Sequence, residues 1–333
     1  MLVSRPPDRG LAAVDGLSVG HATKLKAATG CTVILCPAGA VAGADVGGAA
    51  AGTRELDACS PHHIADRIHG VVLSGGSAFG LSAADGVTRY LGGRGVGFDT
   101  GVARVPIVPA AILFDLRLGS SRIRPDAAMG RAACQAASRG RAISGCAGAG
   151  TGATVGKLFG MERAMKSGVG SASLKLPSRA GGATVAALAA VNAFGDVRHV
   201  ETGEIVAGAR AASGSGPGFA DTAAHMARGV SRAGFAPRQN TTLIVVGTDA
   251  RLSRAEACRV ARLCQDGLAR AVTPAHTRFD GDIVFVLSTG KRRADPDCLA
   301  VAACRAIGHA VLDAVMSATT LHGLPAVRDL DST

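Results

Sequence analysis

The sequence predicts a layered α/β fold, with a strand-rich core and helices outside. Three observations lead to that expectation. Over residues 1–205, short apolar runs alternate with glycine-rich turns. Beyond residue 240, two strand-like runs, 242–247 and 282–287, flank a segment with a different period. That middle segment repeats its apolar residues at helical spacing.

Taken in order, Cys31-Thr-Val-Ile-Leu-Cys36 and Val71-Val-Leu-Ser74 read as buried strands. Residues 82–90 and 127–138 read as helices, and 185–192 is equally compatible with strand and helix. Residues 208–239 change character and read as a flexible linker, with Ala212-Ser-Gly-Ser-Gly-Pro-Gly218 at its centre and Pro237 near its end. The next run, Thr242-Leu-Ile-Val-Val-Gly247, is a strand. Ser253 is placed to cap a helix, with Glu256 three residues on to complete a capping box. The helix would bury Ala257, Val260, Ala261, Cys264 and Leu268. Residues 282–287 form another strand, and 297–318 a long apolar helix. There is no internal repeat, and 1–333 reads as a single domain.

Composition narrows the function. Apolar residues make up 47% of the chain against 18% charged, which fits a folded protein. Aromatics are 3%, so packing must come from small aliphatic side chains and 46 glycines. The net charge of +11 could serve nucleic acid. However, the arginines are scattered and Lys291-Arg292-Arg293 is as long as any basic run gets. With few aromatics for stacking, a solvated basic surface is the better account, and no nucleic acid or membrane partner is expected. The nine cysteines include no CxxC pair and mostly sit among alanines. They read as small buried hydrophobes in a reducing compartment, which points to a cytoplasmic protein.

The chemistry centres on Asn240-Thr241-Thr242, where the linker runs into a buried strand. If the bond before Thr241 were cut, one residue would carry both a hydroxyl and a free α-amine. An α-amine with a pKa of about 7.7–8.0 can serve as base for its own hydroxyl. Asp280-Gly-Asp282 stands at the mouth of the next strand, where carboxylates two apart face one side. They could orient that hydroxyl or hold a substrate ammonium; taken alone they equally fit a solvated turn. Asn192 breaks an apolar run, 186–194, and could donate to an oxyanion or cap a strand end. Lys166 lies in a glycine-rich turn. Other features fail as motifs. Gly150 to Lys157 resembles a phosphate loop, but its glycines are one residue too far apart and Leu158 replaces the hydroxyl residue. Ser74 to Ala78 lacks the nucleophile-elbow glycine, because Phe79 is there. His62 and His63 have no partner ligands nearby in sequence.

Several segments together resemble one family. They are Gly16-Leu-Ser-Val-Gly-His21, Gly47-Gly-Ala-Ala-Ala-Gly-Thr-Arg-Glu55, Leu73 to Gly86, Val105-Pro-Ile-Val-Pro109, Phe114-Asp-Leu116, Lys166 to Ser173, Asn240 to Val246, Asp266 to Arg270, Pro274-Ala-His-Thr277 and Asp280 to Phe285. The family contains the L-aminopeptidase/D-esterase enzymes, the β-peptidyl aminopeptidases and the nylon-oligomer (6-aminohexanoate oligomer) endohydrolases. The Asn-Thr junction and Asp-Gly-Asp resemble the last branch most. The resemblance implies an αββα sandwich of the N-terminal-nucleophile type. It implies self-cleavage between Asn240 and Thr241 into an α chain, 1–240, and a β chain, 241–333. In its terms Thr241 is the nucleophile, Asp280 and Asp282 are its carboxylate partners, Lys166 sits against it, and Asn192 stabilises the oxyanion. It also implies homo-oligomers of αβ units that hydrolyse small peptides or oligoamides with no metal or cofactor. Phe79 stands where relatives often have a substrate-site aromatic. An acyltransferase of the ornithine-acetyltransferase type, or a non-catalytic protein retaining the fold, are the alternatives.

Overall fold

A computed structural model describes residues 9–212, 218–231 and 240–332. Nine strands form one continuous hydrogen-bonded array. Its order is Val169–Lys175, Thr184–Asn192, Thr241–Ala250, Ile283–Arg292, Thr29–Val46, Ile68–Ser74, Ala110–Ile112 and Gly52–Arg54, with Ser18–Lys24 also paired to Thr29–Val46. The Thr241 and Ile283 strands run parallel, and both of their outer neighbours are antiparallel to them.

The Thr29–Val46 strand joins the two halves of the array. Residues 31–35 pair with the Ile68 strand and residues 41–46 with the Ile283 strand. Between them, at Pro37 and Gly39, the register shifts. Proline cannot donate to a ladder, and Gly39 takes φ +80°. The sequence shows the Cys31–Cys36 part of this strand and hides the rest, because Pro37 looks like a terminator.

The described residues form five α-helices: α1 (Ala83–Gly92), α2 (Ala127–Gln135), α3 (Thr222–Ala227), α4 (Arg254–Ala271) and α5 (Pro296–Met316). Burial alternates along the central strands. Ile244 and Val246 pack into one core cluster with Val260, Leu268, Ile307 and Val311 from α4 and α5. Leu243 and Val245 face a second cluster with Phe285, Leu188, Ile34 and Leu73, which draws on both halves of the array. Cys31, Val33 and Val72 face a third cluster with Val87, Leu91 and Met129 of α1 and α2. Strands buried on both faces read as continuous apolar runs, and this is why residues 185–192 lacked a clear period. They form the strand Thr184–Asn192. Each Leu or Val so buried contributes about 1.5–3 kcal/mol.

Glycine replaces the missing aromatics as the packing device. A Cβ on Gly43 would lie 2.3 Å from Ala257 C in α4, and one on Gly170 would lie 2.2 Å from Ala310 O in α5. The helices therefore touch the sheet backbone to backbone. The expected capping box is present: Ser253 Oγ accepts from Glu256 N–H, and the Glu256 carboxylate accepts from Ser253 N–H at 2.7 Å. The predicted apolar face of α4 is buried in full. Among the described helices, α5 alone is long and apolar enough to cross a membrane, yet it lies against the Val169 and Thr184 strands and α4, with eleven residues buried.

The expected linker, 208–239, lies partly outside the described residues. Residues within it are anchored: buried Asp196 accepts from Ala209 N–H at 2.8 Å, Thr222 N–H at 2.6 Å and Thr222 Oγ1 at 2.8 Å.

Candidate active site

Four chain segments meet where the two parallel strands begin. Thr241 opens its strand, and Asn192 ends the antiparallel neighbour directly opposite, so the two are cross-strand partners. Asn240 bridges to Asp280 in the parallel direction, just before the Ile283 strand. Residues 47–50, past the end of the Thr29–Val46 strand, close the other side. Gly47 N–H donates to Asp282 O at 3.0 Å and Ala50 N–H to Asp280 O at 2.8 Å. Burial is nearly complete: Thr241 is 3% exposed, Asn192 0%, Asp280 1% and Asp282 2%.

The peptide between Asn240 and Thr241 is held at its carbonyl. Thr241 Oγ1 donates to Asn240 O at 2.5 Å, and Gly281 N–H donates to the same oxygen at 2.8 Å. Gly281 has to be glycine, because a Cβ there would lie 2.6 Å from Ala50 O and 2.9 Å from Thr241 Oγ1.

The two carboxylates have different partners. Asp282 Oδ1 accepts from Thr242 N–H at 2.7 Å, and its Oδ2 accepts from His276 N–H at 3.0 Å and His276 Nδ1 at 3.1 Å. Asp280 Oδ1 accepts from Phe194 N–H at 3.2 Å, and its Oδ2 from Thr277 N–H at 3.1 Å and Thr277 Oγ1 at 2.6 Å. Burial, followed by the negative charge of Asp282, pushes the Asp280 carboxyl up to about 7. The Asp280 proton therefore comes and goes near neutral pH, the range in which a general acid or base works.

Asn192 is fixed at both ends of its amide. Its Oδ1 accepts from Lys157 Nζ at 2.6 Å, Thr154 N–H at 3.1 Å and Thr154 Oγ1 at 3.3 Å, while Nδ2 donates to Phe114 O at 3.0 Å. Lys157 Nζ also donates to Asn192 O at 3.0 Å. Lys157 is 4% exposed. Sequence reasoning passed over this lysine, which lies in the segment rejected as a phosphate loop.

Lys166, which the resemblance sets against the nucleophile, donates its described hydrogen bonds to main-chain carbonyls. It is fully buried, and its Nζ donates to Ala153 O at 2.9 Å, to Gly150 O at 3.2 Å and to the Ser167 carbonyl. None of these bonds reaches Thr241. Burial pushes its ammonium down to about 8. The lysine pins residues 150–153, and the next residue, Thr154, holds Asn192. Its link to the site is therefore indirect. His276, Thr277 and Phe194 are further site neighbours that spacing did not single out. Phe79 is 57% exposed, with the Arg124 guanidinium 3.6 Å over its ring. Among the described residues, no three of His, Cys, Asp or Glu are grouped as metal ligands.

The fold is similar to a β-aminopeptidase of Burkholderia sp. (TM-score 0.70, 22% identity, 98% of this chain and 93% of that one). It is also similar to the L-aminopeptidase D-Ala-esterase/amidase of Ochrobactrum anthropi, described as a variant of the Ntn hydrolase fold (TM-score 0.68, 20% identity, 96% and 88%). In sequence, the chain is 40% identical over 348 residues to an uncharacterized aminopeptidase of Mycobacterium tuberculosis, covering 95% of this chain and 96% of that protein. It is 33% identical over 279 residues to the 6-aminohexanoate-oligomer endohydrolase of Kocuria sp., covering 82% and 73%. The molecule is accordingly a hydrolase that acts on amide bonds, with a mixed α/β fold similar to Ntn-type aminopeptidases. The chain belongs to peptidase family S58, which it matches over residues 10–327.

Proposed function

We propose that the chain cuts itself between Asn240 and Thr241 and then hydrolyses small peptides or oligoamides with Thr241 as an N-terminal nucleophile. The observation that carries this reading is the Thr241 Oγ1 to Asn240 O contact of 2.5 Å, with Gly281 N–H on the same oxygen. The hydroxyl is already at the carbonyl, and a backbone donor already sits where negative charge would develop. The three core clusters support a four-layer αββα arrangement: α4 and α5, one half of the array, the other half, then α1 and α2.

In the first stage Thr241 Oγ1 attacks the Asn240 carbonyl carbon. The C–O bond forms, the C–N bond breaks, and the leaving nitrogen takes a proton to become the α-amine of Thr241. Water then hydrolyses the ester, freeing the Asn240 carboxylate and restoring the hydroxyl. In the second stage the same hydroxyl attacks a substrate amide. The α-amine accepts its proton and passes it to the departing substrate amine. An acyl-enzyme remains, which water resolves. Asn192, polarised by Lys157, and Gly281 N–H stabilise the oxyanion. Asp280 and Asp282 hold the strand ends, and Asp280 exchanges protons with the new α-amine. Lys166 supports Asn192 through residues 150–154. The active form is a homo-oligomer of αβ units, and its compartment is the reducing cytoplasm, in keeping with nine free thiols.

Mass measurement of the denatured protein tests the first stage. The expected products are fragments 1–240 and 241–333, the second beginning Thr241-Thr242-Leu243. Thr241→Ala should leave one intact chain. Cleavage at the same bond in that variant, or a wild-type chain that stays whole, would overturn the proposal. Product release by water without any added amine acceptor separates hydrolysis from acyl transfer.

A further inference from the structure

His276 has no part in the mechanism above, yet its placement is unusual. It adopts a left-handed backbone, φ +57°, a conformation few non-glycine residues take. That conformation directs its own N–H and its Nδ1 onto one oxygen, Asp282 Oδ2, at 3.0 and 3.1 Å. The other oxygen of Asp282 holds Thr242 N–H at 2.7 Å. A single chain of contacts therefore runs from the imidazole, through the carboxylate, to the peptide joining Thr241 to Thr242. The surroundings preserve it. A Cβ on Gly47 would lie 2.6 Å from His276 Nδ1, so only glycine leaves room for the ring. The charged groups facing the ring are Asp282 and Asp280, and α4 presents the backbone carbonyl of Gln265.

We propose that His276 is a positioning residue for self-cleavage and hydrolysis: it clamps Asp282 so that Thr241 stays aligned on the Asn240 carbonyl, and its charge acts on the neighbouring Asp280. This rests on the self-cleavage reading above. Asp282 and, less strongly, Asp280 raise the affinity of His276 for its proton. By reciprocity the imidazolium favours the charged form of Asp280. Removing the cation therefore leaves Asp280 protonated to a higher pH.

The test follows cleavage of the freshly translated full-length chain by mass, from about pH 5 to pH 9, for wild type, His276→Asn and His276→Ala. Asparagine tolerates the left-handed backbone and keeps an N–H near the Nδ1 position, but carries no charge. We expect His276→Asn to cleave within about ten-fold of wild type on its plateau, with the acid limb moved to higher pH. We expect His276→Ala, folded as judged by circular dichroism, to cleave about 100-fold more slowly. An unmoved acid limb in His276→Asn overturns the proposal, because a merely structural role alters rate without moving the limb. A folded His276→Ala that cleaves at the wild-type rate also overturns it. If wild type itself stays whole, the self-cleavage reading fails and this one fails with it.

Discussion

Lys157 Nζ lies 2.6 Å from Asn192 Oδ1 and 3.0 Å from the main-chain oxygen of the same residue. Two buried groups, 35 positions apart in sequence, thus make one unit. With three donors on Oδ1, the amide has one acceptable orientation, and its Nδ2 must face the other way. An ammonium on the amide oxygen also draws electron density from the nitrogen, which makes the N–H a better donor to an oxyanion.

Lys157→Met should therefore slow self-cleavage and substrate turnover by about 100-fold, the loss seen when an oxyanion donor is removed. The change should fall on kcat more than on KM, because a developing charge is stabilised only in the transition state. An unchanged kcat in the folded variant would show that the lysine only fills space.

Lys166 predicts the opposite pattern. Its three acceptors are main-chain carbonyls, and none of them belongs to Thr241. Lys166→Met should cost stability, roughly 1–3 kcal/mol for each carbonyl left unpaired, and should slow cleavage less than Lys157→Met. The pH dependence follows from the depressed ammonium. Between about 8, its folded value, and 10.5, its unfolded value, the unfolded chain holds the proton more tightly. Wild-type stability should therefore gain on that of Lys166→Met as pH rises from about 8 to 10.5, by on the order of 3 kcal/mol. Denaturant melts of both proteins across that window measure the difference, and parallel curves would contradict it.

Asp280 carries the reverse linkage. Its folded carboxyl titrates near 7 against 3.8 for the unstructured group, so the folded chain binds the extra proton. Stability from this group is present below the unfolded value and is lost as pH climbs to about 7. Between about pH 4 and pH 8, wild-type stability should therefore fall relative to that of Asp280→Asn, a variant expected not to cleave. Parallel stability curves across that window would mean that the carboxylate is held by partners stronger than its burial.

The parts of this site that the sequence displays are those whose chemistry is local. Thr241 and Asp280-Gly-Asp282 each stand where a polar run meets an apolar strand, so position and residue type coincide. Asn192 shows as an amide that interrupts an apolar run. Lys157 does not show, because its partner becomes adjacent only after the chain from 157 to 192 reverses through the Val169 and Thr184 strands. The resemblance placed a lysine at the nucleophile and assigned it to position 166. The fold puts Lys157 on Asn192 and Lys166 behind it. His276 lies in the Pro274-Ala-His-Thr277 segment, but its hold on Asp282 does not show, since a left-handed histidine has no local signature. At the level of the fold, the start and the buried face of α4 were readable because the helix is amphipathic and capped. The Thr29–Val46 strand was not, because tertiary pairing carries it through Pro37.

Gly281 offers a direct test of the main-chain geometry at the scissile bond. Its N–H holds Asn240 O, and its α-carbon faces both Thr241 Oγ1 and Ala50 O. The backbone there is not left-handed, so a methyl group adds no strain of its own. The cost of Gly281→Ala is purely steric: one methyl must displace the hydroxyl, the Ala50 carbonyl, or both from contacts of 2.9 and 2.6 Å. The hydroxyl can rotate away, but the Ala50 carbonyl belongs to the main chain, and its 2.6 Å contact is relieved only if one of the two backbone segments shifts. We expect that shift to draw Gly281 N–H off Asn240 O. Cleavage should then slow by about 100-fold, and the melting temperature should fall by several degrees. An unchanged cleavage rate in the folded variant would show that the main chain absorbs the methyl without disturbing the scissile peptide.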